Sequence, residues 1–379
     1  MRVDPKAVAV AVAVVCVATA PAQDLTVRVG HVAQTSGWLA GFGKNTENGA
    51  RMAIDDLNAK GLSIGGRKAR FELVAEDDKG DLNEAATVAQ RLVDARVNGV
   101  VGHMFSGTSI AASKVYCPAG LPQISPSATN PRFTRSGCRS VFRVLADDLQ
   151  VAAALSRHAV KDMGVARIAL IDDRSDYGQG LVEAFAAAAT AAGARVVEAQ
   201  HIDAKATDFT PQLTAVRARN PDLVFFGGMA TQAGPMISQM KQLGLRARFM
   251  GGDGVCQPDL PARGGDALGD GQVVCAIPGR GEHGTPAMER FQADFRQRFG
   301  NEPLPYAPYA YDAVRVMADA MVRAGSSDPA RYLPALAATS GYAGVTGPIA
   351  FDDKGDLRNG AVTLFTYKGW KQESIAVVR

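Results

Sequence analysis

Short apolar segments of strand length alternate with amphipathic segments of helix length through most of this 379-residue chain, and that alternation restricts the possible folds most. Val27 to Val32 reads as a strand. Ala50, Ala53, Ile54 and Leu57 then recur at helical spacing until Lys60-Gly61 ends the run. Phe71 and Leu73 alternate with Arg70 and Glu72 as a second strand, Ala85, Val88, Ala89 and Leu92 mark a second helix, and Val97 to Val101 forms a third strand. Strands joined by helices lie parallel with helices on both faces, so the expected class is α/β. The pattern restarts after Asp147-Asp148, with strands at Arg167 to Ile171, Arg195 to Ala199, Leu223 to Phe226 and Arg248 to Met250. Helices over Leu181 to Ala192, over Phe209 to Ala218 and through Met236 and Met240 separate them. Two successive units of this size predict two lobes, and a 47% hydrophobic composition supplies two cores.

The remainder does not make a third unit of that kind. Met288, Phe291, Phe295 and Phe299 share a helix face, Tyr309 to Val322 and Pro329 to Ala338 give two more helices, and Gly347 to Phe351 and Ala361 to Tyr367 read as strands. A return to the first lobe near residue 277 and another crossing near 350 give three crossings, a hinge. The expected division is 1–22 as a signal peptide, 23–147 plus 277–350 as one lobe, and 148–276 plus 351–379 as the other.

Ligands of parallel α/β sheets bind beyond the carboxyl ends of the strands. In the first lobe the strand ending at Gly102 runs into His103-Met104-Phe105-Ser106-Gly107-Thr108-Ser109, with a helix expected from Thr108 or Ser109, and Ile124-Ser125-Pro126-Ser127-Ala128-Thr129-Asn130-Pro131 follows. Hydroxyls and the free amides of a helix start collect there, which suits a carboxylate. The loops after Asp172, Gly228 and Met250 offer carboxylates and Tyr177 from the second lobe. A zwitterion fits between the two.

Arg2 and Lys6, the apolar run Ala7 to Val17 and Ala20-Pro21-Ala22 have the order of a secretory signal cleaved near Ala22, and the run is too short to span a membrane. Ala13-Val14-Val15-Cys16 is a poor lipoprotein signal. Export to an oxidising compartment suits disulfides among Cys117, Cys138, Cys256 and Cys275; three pairings exist, and sequence proximity favours Cys117 with Cys138 and Cys256 with Cys275. A net charge of +3 with scattered Lys and Arg gives no basis for nucleic acid as a partner.

Several stretches together resemble the periplasmic leucine/isoleucine/valine-binding proteins, type I solute-binding proteins of ABC transporters. They are Gly49 to Gly61, Val100-Val101-Gly102-His103, Ile124 to Thr129, Asp176-Tyr177-Gly178-Gln179-Gly180, Gly251-Gly252-Asp253-Gly254 and Phe351 to Leu357, in the same order along the chain. The resemblance implies the type I fold, two Rossmann-like lobes on a three-crossing hinge. It implies a monomer that captures a branched-chain or related amino acid in the cleft and delivers it to an inner-membrane permease with ATPase subunits; a sensor subunit of the same fold is the alternative. By the same likeness the ligand's carboxylate goes to Ser106, Ser127 and Thr129, its ammonium to Asp253, and Tyr177 closes over it. Phe42, Phe105, Met229 and Tyr306 form walls, with Trp38 as a further candidate. Asp253 stands where a longer Glu is common in that family, which leaves the head group in place and the choice of side chain open.

No catalytic elbow, metal-ligand spacing, phosphate loop or cofactor motif accompanies these residues, so no enzyme, metal or cofactor is expected. His103 reads as structural. Asp77 to Leu82 and Asp352 to Leu357 lack the residue order of a calcium loop and read as solvated turns.

Overall fold

The computed structural model describes residues 24–279 and 285–378; the expected signal peptide lies outside them. The first sheet takes β1 (Leu25–Ala33), β2 (Ser63–Ile64), β3 (Arg67–Asp77), β4 (Gly99–Gly102), β5 (Gln123–Ser125) and β6 (Val141–Arg143) in the order 2-3-1-4-5-6. All neighbours are parallel except β2, which pairs antiparallel with β3. The second sheet begins with β7 (Arg167–Asp172), β8 (Arg195–His201), β9 (Leu223–Gly227), β10 (Arg248–Gly251) and β11 (Val273–Pro278), all parallel. After a separate ribbon of β12 (Tyr342–Gly344) and β13 (Gly347–Ile349), β14 (Val362–Lys368) and β15 (Lys371–Val378) complete it antiparallel, in the order 15-14-11-10-9-7-8.

Strand side chains alternate between faces, so each buried strand feeds two cores. Neighbouring Val100 and Val101 do this: Val100 packs with Leu92 of α2 (Leu82–Asp94) and Tyr116 of α3 (Ser106–Tyr116), whereas Val101 joins the core under α1 (Ala40–Lys60). In the second lobe Leu223 and Phe225 face Leu155 of α4 (Asp148–Arg157) and Phe185 of α5 (Asp176–Ala191). Val224 and Phe226 face Leu213 of α6 (Thr210–Ala218) and Met236 of α7 (Ala230–Gln242).

After the short α8 (Leu260–Gly264) and β11, the chain returns to the first lobe. There α9 (Pro286–Phe299), α10 (Ala307–Ala324) and α11 (Pro329–Ala337) pack Phe295, Val314 and Leu336 into the core of α1. The boundary expected at 350 falls later. Phe351 is still part of the first core, beside Phe142 at 5.0 Å between ring centroids. The Arg143 amide donates to the Gly355 carbonyl, and its side chain pairs with Asp356 at 2.6 Å. The chain therefore leaves the first lobe between Arg358 and Val362.

Other expectations shift for local reasons. The first helix starts at Ala40, ten positions before the periodic apolar residues, because its first turns border the cleft and carry polar Asn45, Thr46 and Glu47, all buried. Gly347 to Ile349 does not join either main sheet. Neither acidic stretch is merely a solvated turn: Asp78 and Asp356 are buried and bind His103 and Arg143. The bridges Cys117–Cys138 and Cys256–Cys275 both form, with Cα atoms 5.8 and 5.2 Å apart.

Candidate functional site

The carboxyl ends of β4 and β5 face those of β7, β9 and β10 across the cleft between the lobes. On the first side, α3 begins at Ser106, two or three residues earlier than expected. No side chain caps it: Phe105 occupies the capping position with extended backbone, and Ser106 Oγ instead accepts from the Asn130 amide at 3.2 Å. A Ser that serves only its own helix bonds the amide two or three residues on. Ser106 is thus turned toward the answering loop, and the first amides of α3 keep their anion-attracting character.

That loop is tied to the strand end by its own hydroxyls. Ser125 Oγ donates to the His103 carbonyl at 3.1 Å and accepts from the Ala128 amide at 2.9 Å, and Ser127 Oγ donates to the Met104 carbonyl at 2.6 Å. The Thr129 hydroxyl is buried beside the Asp148 carboxyl. Behind the loop, His103 Nδ1 is hydrogen-bonded to the Asp78 carboxylate at 2.8 Å and Nε2 to the Tyr116 hydroxyl at 3.1 Å, with His103 and Asp78 fully buried. Both ring nitrogens are used in holding the loop, which fits a structural histidine.

Asp253 projects from Gly251-Gly252-Asp253-Gly254 after β10. The glycines are needed because Tyr177 lies against this turn: a Cβ on Gly252 comes to 2.8 Å from the Tyr177 hydroxyl, and one on Gly254 to 2.4 Å from the Gly228 carbonyl. The Gly254 amide donates to Tyr177 Oη at 3.0 Å, which donates to Asp253 Oδ1 at 2.8 Å. Tyr306, from the first lobe, donates to Oδ2 at 2.5 Å. Burial raises the Asp253 carboxyl above its ordinary range, and the two tyrosine hydroxyls partly offset this. Burial and the neighbouring Asp253 charge push both tyrosines well above theirs, so they remain neutral donors.

One cavity of about 30 Å³ joins these groups, lined by Phe42, Met104, Phe105, Ser106, Ser127, Tyr177, Met229, Asp253, Gly254, Gln257 and Tyr306. It is far smaller than the ~300 Å³ or more of a ligand cleft, so the lobes are closed on one another. Larger hollows exist, one of about 580 Å³ between Arg96 and Arg331 at the far end of the first sheet, but it lies remote from these hydroxyls and Asp253. Eight of the nine sequence candidates meet in the cavity lining. Thr129, two residues beyond Ser127, is buried and does not line it, and Trp38 is 63% exposed and lines no part of it. Met104 and Gln257 were missed. Met104 adjoins Phe105, and Gln257 stands four residues beyond Asp253, whose carbonyl accepts from its Nε2 at 2.5 Å. Among the described residues no group of three or more His, Cys, Asp or Glu is placed to hold a metal, and no helix is long and apolar enough to cross a membrane.

Comparison with known proteins agrees with this geometry. The profile of the periplasmic binding protein family matches residues 26–371. An amino acid binding protein of Pseudomonas aeruginosa is 35% identical over 87% of both chains, and the leucine-specific-binding protein of Salmonella typhimurium is 32% identical over 92% of this chain and 93% of its own. A leucine binding protein from Thermotoga maritima superposes with a TM-score of 0.83 at 27% identity, over 93% of this chain and 98% of that one. A branched-chain amino acid transporter substrate binding protein from Streptococcus pneumoniae, solved with isoleucine, gives 0.80 at 28% identity, over 93% and 99%. Two lobes that meet over a hydroxyl-lined helix start, an opposing carboxylate, and a match over nearly the whole described chain place this protein in the periplasmic binding protein family, with the type I fold of the leucine/isoleucine/valine-binding proteins.

Proposed function

We propose that the protein captures a branched-chain amino acid in this cleft, without catalysis, and hands it to the permease of an ABC importer. The observation that carries the reading is the polarity of the cavity. Ser106 and the free amides at the start of α3 supply donors from one lobe, with Ser127 beside them, Asp253 supplies a buried negative oxygen from the other, and Phe42, Phe105 and Met229 stand between them. The ligand's carboxylate binds at Ser106, Ser127 and Thr129. Its ammonium displaces the tyrosine protons from Asp253, and Tyr177 and Tyr306 close over the molecule. Each charge-assisted hydrogen bond contributes about 1.5–3 kcal/mol and burial of a leucine-sized side chain a similar amount, enough for micromolar or tighter capture after the costs of association and closure.

The working protein in this reading is a periplasmic monomer freed of its signal peptide near Ala22, with lobes meeting at crossings near residues 147, 279 and 360. Relatives named for leucine, isoleucine and valine support the ligand class. Calorimetric titration of the ligand-free protein with each of the twenty amino acids tests it: leucine, isoleucine or valine gives saturable heat, and silence from all twenty overturns the reading. Permease and ATPase genes beside this one support import, whereas a receptor gene there points to the sensor role.

A further inference from the structure

Asp148 is the first residue of α4, where the chain passes between the lobes. It is fully buried, and apart from the facing Thr129 hydroxyl neither carboxylate oxygen has a hydrogen-bond partner among the described residues. The Thr129 hydroxyl is buried and has no partner besides Asp148 among the described residues, and the backbone holds the two together: the Asp148 amide donates to the Thr129 carbonyl at 2.9 Å. Buried polar groups are nearly always paired, so a buried hydroxyl and carboxyl with no partner beyond each other, two residues past the cavity-lining Ser127, are an unfinished network.

The groups facing Asp148 leave it no counter-charge. Asp253 acts from the loop after β10, Asp147 precedes it, and the Tyr177 and Tyr306 hydroxyls lie within electrostatic reach. Arg143 acts on it in the opposite sense, but its nitrogens already serve Asp356, the carbonyls of Ala128 and Asn130, and Thr134. Arg135 is turned to Asp147. Burial first, and then the Asp253 charge, push the Asp148 carboxyl well above the usual carboxylate range, while hydrogen bonding with the Thr129 hydroxyl opposes them.

We propose that Asp148 is a positioning residue of this ligand site, a buried carboxylic acid whose proton is donated to Thr129 Oγ1 so that the Thr129 hydroxyl directs its own proton at the ligand's carboxylate. This rests on the placing of that carboxylate at Ser106, Ser127 and Thr129. A hydroxyl has one proton. An ionised Asp148 draws it inward and leaves oxygen lone pairs and a second negative charge facing the ligand; the neutral acid reverses the donation and removes the charge. When the cleft is open and wet, Asp148 ionises, so closing over the ligand takes up a proton from solvent.

Leucine titrated at neutral pH in buffers of different ionisation enthalpy reads this directly. The native protein takes up as much as one proton per ligand, and its affinity falls with rising pH by up to tenfold per unit. Asp148→Asn keeps the shape and offers an amide N–H to Thr129: it binds within a few-fold of native, with no proton uptake and a flat pH profile. Leucine binding by the native protein without proton uptake overturns the inference alone, as does the same uptake by Asp148→Asn. Loss of binding at every pH by a correctly folded Asp148→Asn overturns it too. Silence of the native protein toward all twenty amino acids removes both this inference and the reading on which it rests.

Discussion

Replacing Asp253 by Asn keeps the side chain's shape and removes its charge. An ammonium then loses a charged partner inside a buried site, whereas a ligand without the ammonium loses little. Asp253→Asn is expected to weaken leucine roughly 10- to 100-fold and its deaminated acid only slightly, by calorimetry; equal losses remove Asp253 from this role. A second residue-scale effect lies away from the cleft. His31 on β1 is fully buried with neither ring nitrogen partnered, and burial lowers its pKa from 6.5 to about 4. Its folded value is the lower one, so between pH 6.5 and 4 the unfolded chain binds more protons and stability falls as pH falls. The loss is on the order of 3 kcal/mol across that window. Urea melts at pH 7 and pH 4.5 are expected to show a smaller gap in His31→Leu than in the native protein.

At the scale of elements, helix packing sets the tightest limits. A Cβ on Gly49 of α1 comes to 2.1 Å from the Ala307 carbonyl at the start of α10, and that neighbour is backbone that cannot rotate aside. Gly49→Ala is expected to destabilise the protein by about 1–3 kcal/mol in chemical denaturation. The disulfides act on single elements as well. Cys117–Cys138 joins the end of α3 to the segment before β6, and Cys256–Cys275 joins the loop beyond Asp253 to β11, with sequence separations of 21 and 19. Opening either loop in the unfolded chain removes roughly 3 kcal/mol of stabilisation, so the reducing agent alone lowers the denaturation midpoint. The helix starts differ in how they are satisfied, and α5 begins at Asp176, five residues before the Leu181 expected from apolar spacing. Asp81 and Ser175 cap α2 and α5 with bonds to their own amides. The start of α3 was misjudged because Ser106 bonds across to Asn130 instead.

At the scale of the whole molecule, a few contacts hold the cleft shut. Besides Tyr306 with Asp253, Arg132 from the first lobe pairs with Asp176 of α5 at 2.7 Å, and Asn130 Nδ2 donates to the Asp176 carbonyl at 2.5 Å. The Arg132 side chain is 61% exposed, so its ion pair contributes no more than about 1 kcal/mol. Arg132→Ala is expected to cost less than about fivefold in affinity. Tyr306→Phe removes a buried bond and is expected to raise the radius of gyration of the unliganded protein in X-ray scattering, with leucine restoring the compact value.

Much of the fold was legible because apolar periodicity is local: Val27 to Val32, Phe71 with Leu73, and Leu223 to Phe226 declare strands whatever surrounds them. The order of motifs likewise named Ser106, Tyr177 and Asp253 as residues of one cleft. Sequence alone could not show that Asp78 and Asp356 turn inward, since an acidic turn looks the same until His103 and Arg143 are brought beside it. Nor could it show that Asp148 would be buried within reach of the Asp253 charge, or that Trp38 would face solvent. Burial and charge pairing are properties of neighbours distant in the chain, and only the packing of the two lobes selects those neighbours.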